Sequence, residues 1–395
     1  MRALITTSRM PCAIDEIRKL GRAGHEVIAA DAFGSSPGNQ SRYARDSLVV
    51  PSPRHATRRF VDDVARIVRE RDVDLVMPGF EDVFYLARFA DALPKEVRFF
   101  PDWDLLTQLH NKSTFLAMAK DLGLLVPESI VVTNRHDLDY ATMQFESFFA
   151  KPVYSRGGVD VVTNAGPLGR ASTEAADPSP EQPWVVQEFV EGLDVCSFSV
   201  SQHGNITGHT TYVHPRQIEH AGGIVFESVN EPECLQIAQR IAEATGYHGQ
   251  LSFDYMKTKR GMVLIECNPR PTAGVHMMST EHFVNALLDK HAVGLRVTPA
   301  GVRCKYSFAL LRNMVLHRAQ IWDDLACLMS DAKELIIDID DIKPALYQVL
   351  SYGRVFAYRK QVKQAVRENA ELMAAYFYDV CWNGEPIGEE AREAA

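Results

Sequence analysis

Apolar residues along the first hundred positions follow two periods in alternation. Short unbroken runs at Ala3–Thr6, Val27–Ala30, Leu75–Met77 and Val97–Phe100 have the length of buried strands. Between them the spacing turns helical. Ile14, Ile17 and Leu20 form one stripe behind Pro11, with Gly24 past its end, and Phe60, Val64, Ile67 and Val68 form another between Thr57 and Arg71. Such alternation predicts a parallel, doubly wound sheet, hence an α/β domain over residues 1–103. The first turn reads Thr-Thr-Ser-Arg-Met-Pro and lacks the glycine fingerprint of a dinucleotide site, which leaves Asp31 an ordinary strand-end acid.

From residue 104 to 300 strands and helices mix as in an α+β domain. A helix opens at Asn111 and runs to about Leu122, before Gly123 and Pro127. Strand patterns follow at Phe148–Pro152, Trp184–Gln187, Cys196–Ser201 and Ile206–Val213. Residues 164–183, rich in Gly, Ala, Pro, Ser and Glu, read as a mobile loop, and His214 to Glu227 as a polar one. A helix from Pro232 to Thr245, stopped by Gly246, leads into two apolar stretches around the polar turn Lys257 to Gly261. Residues 301–395 form a mixed region. Lys360 to about Phe377 looks helical there, and Asp379–Gly384 looks like a last strand and turn.

Composition narrows the class of protein. A net charge of −9 argues against a general nucleic-acid or anionic-membrane binder, and no apolar run approaches the roughly 18 residues of a membrane helix. The seven cysteines are scattered without a CxxC pair, which is the usage of a reduced compartment and not of a disulfide framework or zinc site. The chain begins directly in a strand pattern with no signal-peptide core. A cytoplasmic globular protein is the expectation.

The chemistry concentrates between Gly249 and His276. Asp254 and Glu266 lie symmetrically about residue 260, so a hairpin centred there would set them opposite each other, with Cβ atoms roughly 5 Å apart. Two facing carboxylates repel unless a cation sits between them. Asn268 shares the face of Glu266, giving an all-oxygen set that suits Mg²⁺, and Arg270 follows where a phosphate or carboxylate could be met. Solvated acids on an edge hairpin would look the same. Elsewhere the signals are single. Lys112 sits in a helix's first turn, where acids are preferred, and Lys151 ends an apolar strand before the pair Gly157-Gly158. A solvated lysine and a plain hairpin turn would account for each alone. His209, His214 and His220 fit no metal-ligand spacing.

Taken in order, these pieces resemble the ATP-grasp superfamily over about residues 1–280, nearest its carbamoyl-phosphate synthetase, biotin carboxylase and amino-acid ligase branches. The resemblance implies ATP held by Lys112 and Lys151, by a lid of Ser155, Gly157 and Gly158, and by an adenine hinge of Gln187, Glu188 and Val190. Asp194 stands where the family has a ribose-binding Glu. It also implies Mg²⁺ (or Mn²⁺), in two ions, on Asp254, Glu266 and Asn268, with Arg270 and Lys151 acting on the reacting phosphate. The implied reaction is ADP-forming ligation of a small carboxylate to an amine through an acyl phosphate. A bicarbonate-using carboxylase, a carbamoyl-phosphate former and a silent ATP-binding module are the alternatives. Substrate contacts are expected from His214, Arg216 and Glu227, with Ser8, Arg9 and Glu81 at the strand ends of the first domain. Neither nucleic acid nor membrane is expected as a partner, and a homodimer is.

Overall fold

The computed structural model describes residues 1–156, 160–166, 168, 176–218, 222–288, 294–362 and 375–388. Its first sheet is wholly parallel, in the order β3-β2-β1-β4, from β1 (Arg2–Thr6), β2 (Glu26–Asp31), β3 (Asp46–Val49) and β4 (Leu75–Pro78). Helices α1 (Pro11–Arg22) and α2 (Thr57–Glu70) make the crossovers. The buried runs Ala3–Ile5 and Val27–Ala30 are apolar because helices cover both faces. β3 is an edge strand with alternating exposure, and so carries no apolar run. The strand expected at Val97–Phe100 does not form. After Pro94 the chain makes one 3-10 turn, Lys95–Val97, and only Arg98 bridges to Val76. Short helices α3 (Asp82–Arg88) and α4 (Trp103–His110) then lead to α5 (Lys112–Asp121).

A small antiparallel sheet has the order β5-β8-β6-β7, from β5 (Ser129–Val132), β6 (Phe148–Pro152), β7 (Val162–Thr163) and β8 (Trp184–Glu188), with α6 (Arg135–Thr142) against it. The large sheet follows: β9 (Leu193–Gln202), β10 (Asn205–Ile218), β11 (Gly222–Ser228), β12 (Gly249–Thr258) and β13 (Gly261–Asn268). Helix α7 spans Pro232–Thr245 and ends on Gly246 at φ +62°, the left-handed position that glycine takes readily. One face of the sheet packs on α5 and α7 through Phe115, Ile237, Ile241 and Phe253. The other meets α1 through Phe198, Val200 and Ile17.

The described parts of the expected loop His214 to Glu227, residues 214–218 and 222–227, are strand. β10 continues through bulges after Val213 and pairs with β11 as a long hairpin. Its outer part is half-exposed, so its side chains are polar although its backbone is paired. β14 (Arg296–Val297) joins β10, and β15 (Arg303–Lys305) and β16 (Lys333–Glu334) continue the sheet beyond β11, across residue 300. Helices α8 (Thr280–Leu288), α9 (Ser307–Leu316), α10 (Ile321–Leu328) and α11 (Lys343–Val362) complete the set. Much of the helix expected over Lys360–Phe377 lies outside the described residues. Among those described, no helix is long and apolar enough to cross a membrane.

The segment 375–388 returns to the first domain, and Asp379–Gly384 makes a turn and unpaired extended chain there, not a strand. Side chains anchor it instead of a ladder. Arg9 is buried between Asp31 and Asp379, Phe377 stacks on Phe80, and Trp382 enters the core beside Phe84.

Candidate functional site

The hairpin β12–β13 turns on two residues, Lys259 and Arg260, because Thr258 pairs with Gly261. Continued regularly, that register would set Asp254 opposite Ile265. A bulge between Leu264 and Glu266 inserts one residue, and Asp254 faces Glu266. β12 is also paired with β9 on its other side, where Asp254 meets Cys196, so Asp254 is an inner-strand residue. Asn268 donates Nδ2 to Asp254 Oδ2 at 3.1 Å and accepts from Arg270 Nη2 on Oδ1 at 3.1 Å.

Two ammonium groups converge on the same hairpin. Asn111 caps α5, accepting from the backbone N–H of Ser113 and Thr114, and thereby fixes Lys112 at the helix start. Lys112 Nζ donates to Ser155 O at 2.7 Å and lies 3.5 Å from Glu266 Oε2, which also accepts from Lys151 Nζ at 3.0 Å. Burial pushes Lys112 down to about 8, and Glu266 offsets only part of that. Burial would raise Glu266 too, but Lys112 and Lys151 together hold it below the carboxylate range. Asp254 has neither lysine. Burial and the facing Glu266 push it up to about 7.

Beside this set sits a second cluster. Glu81, fully buried at the start of α3, accepts from Arg156 Nε at 2.7 Å and from the backbone N–H of Trp382 at 3.0 Å, with Arg270 Nε at 3.6 Å. Arg156 also donates to Asn383 Oδ1 at 2.7 Å and to Trp382 O at 2.6 Å. Burial alone would raise Glu81, but Arg156, with Arg270 beyond it, brings it down to about 2. Trp382 and Asn383 carried no site signal in the sequence, and Arg156 only its place in the lid run Ser155 to Gly158. Arg270 lies 4.3 Å above the Phe80 ring and opens onto a cavity between α1, the β11 start, α11 and Phe377.

At the hinge, Gln187 donates to Ser129 Oγ at 3.2 Å and Glu188 pairs with Arg260 at 3.0 Å. A cleft lined by Phe189, Val190 and Leu193 on one side and Lys257–Arg260 on the other lies beside them. Asp194 Oδ2 accepts from Gln217 at 3.0 Å, and Asp194, Cys196 and His214 bring ligand atoms within 4.8 Å of one another. Gly157 and Gly158 of the expected lid lie outside the described residues, whereas Ser155 does not. The expected substrate contacts part company. Arg216 is taken by Asp324 of α10, Glu227 is paired with Arg303 at 3.0 Å, and His214 lies 3.4 Å from Asp194. None of the three lines the cavity at Arg270, although β11 contributes Gly222, Gly223 and Phe226 to it.

The comparisons with known proteins point the same way. Residues 109–274 match the family model described as an ATP-grasp domain. The carbamoyl phosphate synthase large chain of Thermus thermophilus is 28% identical over 212 residues, which is 50% of this chain but only 20% of that protein. Among solved structures, N5-carboxyaminoimidazole ribonucleotide synthetase from Thermotoga maritima superposes with a TM-score of 0.56 at 16% identity, covering 76% of this chain and 79% of that one. The biotin carboxylase domain dimer of Hydrogenobacter thermophilus 2-oxoglutarate carboxylase, in complex with MgADP, ADP and bicarbonate, gives 0.56 at 12%, covering 74% and 71%. At such identities the structures speak for the fold. Fold, motif order and family model agree that residues 109–274 form an ATP-grasp domain.

Proposed function

We propose that this protein is an ATP-dependent ligase that activates a carboxylate as an acyl phosphate and passes it to an amine. The observation that carries the reading is the chain of contacts from the lysines to Arg270. Lys112 and Lys151 reach Glu266, Glu266 faces Asp254, Asn268 links Asp254 to Arg270, and Arg270 opens onto the cavity. Two buried ammonium groups share one carboxylate, so both are placed to meet polyphosphate there. Asp254, Glu266 and Asn268 offer only oxygen donors, and the facing acids would be relieved by a hard dication. Mg²⁺ (or Mn²⁺) held there would supply charge neutralisation at the phosphates.

The protein's task is then position and charge. The substrate carboxylate, oriented by Arg270, attacks the γ-phosphorus and ADP leaves. The amine attacks the acyl carbon, and phosphate departs with one former carboxylate oxygen. Lys112 and Lys151 offset charge that builds on the phosphates, and closure of the site excludes water from the acyl phosphate. In this division residues 104–300 hold the nucleotide, while 1–103 and 301–395 enclose the acid.

The test is ADP release screened over pairs of carboxylic acids and amines. Release should depend on both partners, with one ADP per amide bond. A bicarbonate-using reading is favoured by the carboxylase and carboxyaminoimidazole names among the structural neighbours. ADP release with bicarbonate and no organic acid would decide for it.

A further inference from the structure

The cavity beside Arg270 narrows the kind of acid, given the ligase reading above. Arg270 donates one hydrogen bond from Nη1, to Pro271 O, and one from Nη2, to Asn268, so Nη donors remain for an incoming carboxylate. Its Nε has no hydrogen-bond partner although it is buried. Arg156, the other cation on the wall, has all three nitrogens engaged, with Glu81, Asn383 and Trp382. The remaining walls include six aromatic side chains among small and aliphatic residues such as Gly79, Ala273 and Leu335. Phe80 and Phe377 stack at 4.6 Å, and Phe226, Tyr306, Tyr352 and Tyr376 continue the lining.

Among the described residues the lining includes no Asp or Glu. His276 is the remaining titratable nitrogen there, and burial holds it below its usual value despite the pull of Asp15, so it is neutral near pH 7. An α-ammonium group in this cavity would be desolvated with no counter-charge from the described lining. Bicarbonate would leave the aromatic walls uncovered, and their burial is where affinity can be gained. We propose that the acid activated here is an aryl or similarly apolar carboxylic acid that carries no amino group, its carboxylate on Arg270 and its apolar part among the aromatic side chains.

Matched pairs test this: phenylacetate against phenylglycine, and 3-phenylpropionate against phenylalanine. Each is titrated calorimetrically into the full chain holding Mg²⁺ and a non-hydrolysable ATP analogue. The acids should bind at least about tenfold more tightly than their α-amino counterparts, the cost of an unpaired ammonium. Tyr352→Glu, which supplies a counter-charge, should narrow that gap. Equal or tighter binding of the amino acids overturns the inference and leaves the ligase reading standing. So does binding of none of the four while the analogue still raises the melting temperature. If the analogue raises nothing, the ligase reading itself has failed.

Discussion

The β12–β13 hairpin and the cluster at Glu81 hold the same kinds of charge in different proportions. In the hairpin two carboxylates face each other, and both lysines reach the same one. Glu266 is therefore held low, while burial and its neighbour drive Asp254 up to about 7. At Glu81 a single carboxylate meets two guanidinium groups and a backbone N–H, and it sits at about 2 despite complete burial. One arrangement is unfinished without a further cation; the other is complete as folded. Binding energy belongs to the first and folding energy to the second.

The largest expected effect tests the unfinished half. Glu266→Gln removes one charge from the metal set and the shared partner of two lysines, so turnover should fall roughly a thousandfold or more. Without metal the variant should also be less stable than wild type, since Lys112 and Lys151 lose their counter-ion. Near-normal ADP release would end the comparison.

Glu81→Ala addresses the finished half. It leaves Arg156 buried without its acid, which costs about 3–5 kcal/mol in denaturant unfolding. A loss under about 1 kcal/mol would mean that Asn383 and Trp382 O suffice to hold Arg156.

Acid titration sharpens the same point. Glu81 is depressed from 4.5 to about 2, so its stabilisation is full above pH 4.5 and is lost as pH falls towards 2. Glu81→Gln should flatten that limb of the stability curve. Glu16, fully buried on α1, behaves oppositely. Burial raises it to about 8, so stability should decline as pH rises from 4.5 to 8, and Glu16→Gln should remove the decline.

The smallest effect separates the facing acids. Asp254 is raised, so its ionisation costs stability that grows from pH 3.8 to about 7. Asp254→Asn should stabilise the metal-free protein by about 1–2 kcal/mol at pH 8, with the gain fading towards pH 4. The hairpin thus gives opposite signs for its two acids. If both neutral variants move stability the same way, the unequal sharing of the lysines is wrong.

Distance along the chain explains what could be read beforehand. Asp254 and Glu266 fall within one hairpin, so spacing alone suggested the pair. The bulge at Ile265 that aligns them carries no glycine and left no trace. Helix α7 was legible from Pro232 to Gly246 because its ends are marked by local chemistry. Arg156 reaches Glu81 over 75 residues and Asn383 over 227, and no periodicity encodes such contacts. The outer half of β10 misled for another reason: its polar side chains reflect partial exposure, while its strand state is fixed by pairing with β11.

The most direct measurement of the central claim follows an oxygen atom. An organic acid that supports ADP release is labelled with ¹⁸O in its carboxylate, and the released phosphate is examined by mass spectrometry. Attack of the carboxylate on the γ-phosphorus predicts one labelled oxygen in each phosphate formed. Phosphate without label, with the lost carboxylate oxygen recovered in water or in the nucleotide, would contradict it.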